Sequence, residues 1–432
     1  GNITKHPPRR HMRISETQAH IMLMHLAQAG YVDMDIETRW VQVQEKLFDH
    51  LKNYAGRRDY DVLHFKSHAR GRNGFISLLN LQMLLEGVDR VLVSSRRNVL
   101  IEPLAGRVEI GEDRDFDFGG VLHAGNLQFE GSDYHFDYET FTVELNNVET
   151  CKLRMSDEED LDPYGRPRKK RIRNDLSEVS GTLRIDAPSN RSGWRAAYYP
   201  EYPILKTEGT SYVYWDSPPV QGGAYARDRF YFATEAFSLD SLDDLGRDEL
   251  RFQGVLNSGG ILPDITHELA VMEDMFLGFE TATDPGGWPL YGGAARYDQE
   301  VRLDGKGLQG GGRIDFLTAS ATGDRFTMLP DSTTGVAHTF ANSTSAGPPE
   351  TPAVQGVGAF VAFHPVARRM TATSQGEPLS FFAGESRLSG RLDLGDGGIT
   401  GRGIMAFDQA ELASGHFDYA QRSMVSDTAA FE

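Results

Sequence analysis

From about residue 60 onward the chain is written in short alternations of apolar and polar residues, each interrupted by glycine or by a change of phase. Leu127 and Phe129 alternate with polar positions. After Gly131-Ser132 the apolar set moves to Tyr134, Phe136 and Tyr138, and then to Phe141, Val143 and Leu145, before Asn146-Asn147, which reads as a turn. A period of two places alternate side chains on one face of a strand. A one-residue change of phase sends them to the other face unless a bulge or bend intervenes, so each shift predicts a corner between short strands. The runs 76–85, 88–93 and 99–110 read as further strands. Within this alternation a pattern recurs: apolar, any residue, glycine, any residue, leucine. It appears at Phe118-Gly119-Gly120-Val121-Leu122, Val179-Ser180-Gly181-Thr182-Leu183, Phe252-Gln253-Gly254-Val255-Leu256 and Leu388-Ser389-Gly390-Arg391-Leu392. A longer pair, Gly307-Leu308-Gln309-Gly310-Gly311-Gly312-Arg313-Ile314-Asp315-Phe316 and Gly398-Ile399-Thr400-Gly401-Arg402-Gly403-Ile404-Met405-Ala406-Phe407, repeats the texture. Repetition at this scale predicts short strands packed in series.

The one helical region lies at 12–56. Ser15 and Gln18 have capping-box spacing, apolar residues follow through Leu26, and Gly30 supplies a stop. Segments 31–35 and 39–44 read as a hairpin, and Leu47, Phe48, Leu51, Tyr54 and Ala55 form a helical stripe ended by Gly56. Helix, hairpin, helix resembles part of a winged-helix module. It lacks a dense basic recognition face, which favours a capping or interaction role over DNA binding. Further along, 156–174 combines Asp157-Glu158-Glu159-Asp160 with Arg166, Arg168, Lys169, Lys170, Arg171 and Arg173, the composition of an exposed, partly mobile loop. Residues 186–220 are rich in proline, tyrosine and tryptophan and read as an ordered excursion. The stretch 320–355 is rich in serine, threonine, glycine and proline and reads as a loop or hinge. The expected organisation is a cap at 1–60, a first β-repeat block at 61–185, the excursion at 186–245 and a second β-repeat block at 246–432. The expected fold is mainly β: a β-solenoid or jellyroll-like stack of short strands with a small N-terminal α/β, winged-helix-like cap.

Composition narrows the function classes. A net charge of -18 repels polyanions, so nucleic acid is not an expected partner. With Cys151 as the single cysteine, no internal disulfide and no zinc site of the cysteine type can form. No run is long and apolar enough for a transmembrane helix, and the polar, basic start has no signal-peptide pattern. Both ends look arbitrary, and the chain stops at Ala429-Ala430-Phe431-Glu432 within a strand-like pattern, which reads as a piece of a longer protein.

Candidate chemistry is sparse. Gly305-Lys306-Gly307-Leu308-Gln309-Gly310 fits the spacing of a dinucleotide loop, but a strand-like run follows it where a helix is needed, so it is rejected. Asp113, Asp115 and Asp117 would share one face of a strand and could offer hard oxygens to Ca²⁺; the alternative is the solvent side of an amphipathic strand. His64 and His68 stand four apart, a metal spacing on a helix, but their surroundings read as a strand. No nucleophile elbow, zincin helix, phosphate loop or CxxC pair occurs, so no catalytic residue is expected. The strongest binding candidate is the aromatic cluster Trp194, Tyr198, Tyr199, Tyr202, Tyr212, Tyr214 and Trp215. Such rings stack on sugars or anchor a partner when exposed, and otherwise fill the core of a poorly regular loop.

Several stretches carry a resemblance. Asp113-Arg114-Asp115-Phe116-Asp117-Phe118-Gly119-Gly120-Val121-Leu122-His123-Ala124-Gly125, Tyr199-Pro200-Glu201-Tyr202-Pro203-Ile204 and Arg227-Asp228-Arg229-Phe230-Tyr231-Phe232 resemble a group of very large proteins of Bacteroidota, as do Leu290-Tyr291-Gly292-Gly293 and Leu329-Pro330-Asp331-Ser332. The resemblance spans nearly the whole chain and implies an internal piece of a larger protein; it brings no catalytic residues with it. The glycine-and-strand texture is also similar to envelope β-jellyroll proteins of the lipopolysaccharide-transport and AsmA/TamB kind, which carry lipid along an apolar groove. The implied role is a non-enzymatic structural or interaction segment of a large cell-envelope protein, periplasmic or on the surface. Its implied partners are other segments of the same protein or other envelope proteins. The alternatives are a lipid-conducting β-groove and a carbohydrate-binding or polysaccharide-cleaving β-helix.

Overall fold

The computed structural model describes residues 14–38, 40–55, 57, 59, 63–68, 71, 73–165, 167–426 and 428–431. Strands dominate, only two α-helices occur among these residues, and the strand ladders are antiparallel. The helical start follows the sequence pattern. Ser15 Oγ accepts the Gln18 N–H at 3.2 Å and Gln18 Oε1 accepts the Ser15 N–H at 2.9 Å, opening α1 (Glu16–Gln28) with two orphan donors satisfied. Gly30, at φ 70°, turns the chain into β1 (Val32–Met34), which pairs with β2 (Val41–Val43), and α2 (Glu45–Tyr54) follows. Arg39 and the expected stop Gly56 lie outside the described residues.

The chain forms two compact units. The first comprises Gly1–Glu149, Ser180–Glu208 and Ser238–Asp244. Its strands are β3 (His64–Ser67), β4 (Gly74–Ile76), β5 (Met83–Glu86), β6 (Val88–Ser94), β7 (Val99–Pro103), β8 (Arg107–Ile110), β9 (Phe116–Ala124), β10 (Leu127–Asp137) and the start of β11 (Thr142–Leu161). Two chains of pairing run side by side: β3 with β6, β6 with β7 and β7 with β9, and likewise β4 with β5, β5 with β8 and β8 with β9. Each long strand is thus broken midway, β5 from β6 at Gly87 and β7 from β8 at Leu104–Gly106, while β9 runs through and pairs with β10. The apolar set on β9 to β11 (Phe116, Phe118, Phe129, Tyr134, Phe136, Phe141) is buried, and each such ring contributes roughly 1.5–3 kcal/mol. The register of β9 and β10 shifts between Gly131 and Tyr134, where the sequence phase shifts.

The second unit comprises Thr150–Val179, Gly209–Phe237 and Leu245–Glu432. The outer part of β11 pairs with β12 (Pro167–Arg171). In β13 (Leu176–Arg184), Gly181–Arg184 pair in the first unit with β14 (Ile204–Thr207), which pairs with β17 (Ser238–Leu239), while Leu176 and Ser177 pair in the second unit with β15 (Tyr212–Tyr214). A meander then runs through β16 (Phe230–Thr234), β18 (Phe252–Ser258), β19 (Ile265–Val271), β20 (Leu277–Ala282) and β21 (Trp288–Leu290). It continues through β22 (Ala295–Asp304), β23 (Gly307–Phe316), β24 (Ala319–Met328), β25 (Thr333–Asn342), β26 (Val354–His364), β27 (Arg369–Thr373) and β28 (Leu379–Phe381). Its last strands are β29 (Ser386–Gly395), β30 (Gly398–Ala406), β31 (Glu411–Tyr419), β32 (Met424–Val425) and β33 (Ala430–Phe431). Broken strands recur here too: β20 and β21 share β22, and β27 and β28 share β26 and β29.

Four expectations are corrected. Residues 156–174 are no loose loop: most of them form the β11–β12 hairpin, whose acidic and basic strands face each other, with Lys170 Nζ 2.6 Å from Asp157 and 3.3 Å from Asp160. Opposite charges in cross-strand positions stabilise the pairing, and composition alone conceals this. The stretch 320–355 holds most of β24 and all of β25; only the segment between β25 and β26 is a connection. Asn146-Asn147 lie inside β11, and 76–85 is a hairpin rather than one strand. The dinucleotide-like glycines open β23, as the rejection of that motif requires.

Candidate functional site

The recurring glycine has a physical cause. A Cβ added at Gly120, Gly181, Gly254 or Gly390 would lie inside 3.0 Å of a carbonyl oxygen on the adjacent strand: Glu102, Lys206, Ala233 and Arg402 respectively. The motif marks where a strand presses so closely on its neighbour that only hydrogen fits. In the first unit these positions line up, since Gly120 pairs with Gly131 and lies against Glu102 and Leu104 at the break between β7 and β8. In the second, Gln299 pairs with Gly312 and Gly312 with Gly323, while Gly390 pairs with Gly403 and Gly403 with Ser414. Glycines in register across neighbouring strands crease a sheet. The two strands that hold the long sequence pair share two local features: β23 and β30 both follow two-residue connections, and the ladders to the strands after them shift register, between Gly310 and Gly312 and between Gly401 and Gly403.

A shallow cleft lies beside one crease in each unit. In the first unit it measures about 570 Å³ and is lined by Arg107, Glu109, Asp115, Asp117 and His135 with Leu104 and Gly119. Glu109, Asp117 and His135 are direct cross-strand partners on β8, β9 and β10, so their side chains share one face. The opposite face carries Phe116 stacked on Phe136 at 4.7 Å and Phe118 against Tyr134 at 5.2 Å. Two carboxylates directly opposite repel, and His135 offsets this, with Nδ1 2.6 Å from Asp117 Oδ1. The hydrogen bond to Asp117 raises the His135 pKa above its ordinary value of 6.5. A raised folded-state pKa stabilises fully below the unfolded value and the contribution is lost as pH climbs through the folded one. We expect the His135 ring resonances to titrate above 6.5 and to return towards that value in Asp117→Asn; titration unchanged by the substitution would break the assignment. The cleft of the second unit, about 510 Å³, is lined by Gln299, Glu300, Thr322, Asp324 and His338 over Gly311, Gly312 and Gly323, with His338 Nε2 2.9 Å from Asp324 Oδ2. The segments His135-Phe136-Asp137-Tyr138 and His416-Phe417-Asp418-Tyr419 are alike in sequence and both bury their phenylalanine, but the histidine's partner differs: His416 pairs with Asp418 on its own strand.

The three aspartates do not converge as expected. Residues 112–114 form a turn, with Arg114 at φ 74°, and β9 begins only at Phe116. Asp113 is exposed in the turn, Asp115 Oδ1 accepts the Tyr138 N–H at 2.8 Å, and Asp117 serves His135. Among the described residues no group of three or more acidic, histidine or cysteine side chains could hold a metal ion. His64 lies on β3, as its surroundings predict, and His68 pairs with Asp89.

The aromatic cluster divides. In the first unit Trp194 and Tyr198 are exposed, Tyr198 by 80%, Tyr199 is half-buried and Tyr202 buried. Arg96 lies 5.0 Å over the Trp194 ring and Tyr54 meets its edge at 5.2 Å. Beneath them sits an ion pair that sequence reading missed: Arg97 Nε donates to Asp186 at 2.7 Å, and the guanidinium also donates to the carbonyls of Tyr199 at 2.5 Å and Tyr202 at 3.0 Å. Asp186 further accepts from Asn190 and from the Ala187 N–H. In the second unit Tyr212 and Tyr214 are half-buried beside Tyr231 and Arg227, and Trp215 is buried. Cys151 is buried, which pushes its thiol pKa far up and leaves it inert.

No family model, curated protein or solved structure matches the chain.

Proposed function

We propose that the chain is a non-enzymatic structural and interaction segment of a large cell-envelope protein. Its finer architecture, in this reading, is two jellyroll-like blocks of creased antiparallel strands with the helix–hairpin–helix as a winged-helix-like cap. Antiparallel ladders support a jellyroll over a solenoid coiled from parallel strands. The envelope address, periplasmic or surface, rests on the resemblance to large Bacteroidota proteins, and the neighbouring segments of that protein are the natural partners. The observation that carries the role is where the aliphatics point. Leu127, Phe129, Val143 and Leu145 in the first unit, and Leu308, Ile314, Phe326 and Leu392 in the second, are buried, whereas a lipid-conducting groove needs such a face open. One carboxylate in each cleft, Asp117 or Asp324, is engaged by a histidine, and such charge pairing across strands fits a structural role.

A glycan-binding reading is favoured by one feature, the exposed Tyr198 and Trp194 with the Arg96 guanidinium on the latter's ring. Native mass spectrometry of the chain from an envelope extract, followed by a glycan array, separates the readings. We expect an apo mass and no glycan signal. Co-purifying phospholipid or lipopolysaccharide would replace the scaffold with a lipid carrier; array binding lost in Tyr198→Ala would replace it with a lectin.

A further inference from the structure

Among the described residues, the hairpin β4–β5 gathers a run of highly exposed apolar side chains. Leu79 is 100% exposed, Leu78 82% and Phe75 65%, with Ile76, Leu81 and Met83 exposed beside them. Phe75 and Ile76 are successive strand residues and face opposite sides, so the roughly 500 Å² of apolar area that these residues expose is divided between the two faces of the hairpin. No charged residue occurs from Asn73 to Leu85, although a quarter of the chain is charged. Among the described residues β4 pairs only with β5, so its far edge is open.

The hydrogen-bond phase tells which backbone groups that edge presents. Ser77 N–H bonds to Gln82 O, and Glu86 N–H to Asn73 O. Bonded pairs in an antiparallel ladder alternate, so Phe75 also points its N–H and C=O at β5, while those of Gly74 and Ile76 point outward. An uncovered strand edge of this kind templates another strand.

We propose that β4 is a homodimerisation edge, at which β4 of a second copy adds antiparallel about a two-fold axis through Phe75. Gly74 of one copy then exchanges both hydrogen bonds with Ile76 of the other, and the two Phe75 side chains meet at the axis as a non-hydrogen-bonded pair. Three arguments select a second copy. Two such surfaces together approach the roughly 1,000 Å² total at which a specific interface begins. The surface is uncharged, so it adds no local repulsion between two chains of net charge -18. Another strand can replace water on the outward N–H and C=O groups, whereas a bilayer's hydrocarbon would leave them unpaired. The proposal goes beyond the interaction reading above, whose partners are neighbouring segments, by adding a second copy of the chain.

The test uses the intact chain. Light scattering across a dilution series is expected to show a monomer–dimer equilibrium. Ile76→Pro removes an outward donor without touching a β4–β5 bond and should weaken self-association about tenfold or more, with the melting temperature preserved. Phe75→Cys supplies a second probe, since Cys151 is buried and silent. Facing Cα atoms of a non-hydrogen-bonded pair lie about 4.5 Å apart, within the disulfide range, so mild oxidation with diamide should give a covalent dimer. Val366→Cys, exposed elsewhere, should cross-link far more slowly. A chain that stays monomeric throughout, or a Phe75→Cys variant that cross-links no faster than the Val366→Cys variant, overturns the proposal. So does a monomer that binds phosphatidylcholine vesicles and loses that binding in Leu79→Lys. A monomer that holds no lipid would remove the dimer while leaving the scaffold reading intact.

Discussion

Gly390→Ala is expected to destabilise its unit by about 3 kcal/mol or more, read as a shift in the denaturant midpoint. The cause is steric: Gly390 needs no left-handed backbone, but its Cβ would lie inside 3.0 Å of Arg402 O and Gly403 Cα. Those atoms belong to the backbone of β30, so no side chain can swing aside. Relief requires β29 and β30 to separate where their ladder is continuous from Arg387 to Gly395. Gly397→Ala, in the turn between the same strands, meets nothing within 4 Å and should stay within about 0.5 kcal/mol of the parent. Equal effects at the two sites would mean that the glycines serve backbone freedom or chance, and the crease would lose its explanation.

Asp186→Ala is expected to cost about 3–5 kcal/mol, because it leaves the Arg97 guanidinium buried without its counter-charge. The local consequence is more specific than the global one. Arg97 holds the carbonyls of Tyr199 and Tyr202, and Asp186 holds Asn190, so the pair pins the excursion at three points. Protease cleavage between 186 and 203 should therefore appear before the rest of the first unit is attacked, with a change in Trp194 fluorescence. Arg97→Lys should behave almost as badly, since an ammonium cannot reproduce the planar fork that reaches a carboxylate and two carbonyls together. Parent-like protease resistance in Asp186→Ala would show that the excursion is ordered by its aromatic packing alone.

Several local signals in the sequence match the structure. The capping box at Ser15 and Gln18, the helical stripe ending at Tyr54 and the phase shift after Gly131 depend on near neighbours, and each stands in the structure. The glycine repeat was visible as a pattern, but its cause was not, because a clash with Glu102 or Arg402 belongs to a strand elsewhere in the chain. Arg97 and Asp186 are far apart in sequence and each resembles a surface charge until the fold joins them. The serine- and threonine-rich stretch misled because β24 and β25 bury small residues such as Ala321, Thr333 and Ala337, leaving little aliphatic signal to mark a strand. The aspartates misled for the opposite reason. Their spacing fits a strand, but Gly111 and Arg114 close a turn that ends just before it.

The ladder order of the second unit bears on how the chain acquires its structure. From β22 to β26 each strand pairs with the one synthesised just before it, and the broken strands β27 and β28 continue that order to β31. Closing such neighbours spans short loops and costs little chain entropy, in contrast to β topologies that must first bring distant segments together. A sheet of this kind can be laid down one strand at a time as the chain becomes available from its N-terminal side. Each new strand covers the edge that the previous one exposed, so the growing sheet never presents more than one open margin at its advancing end.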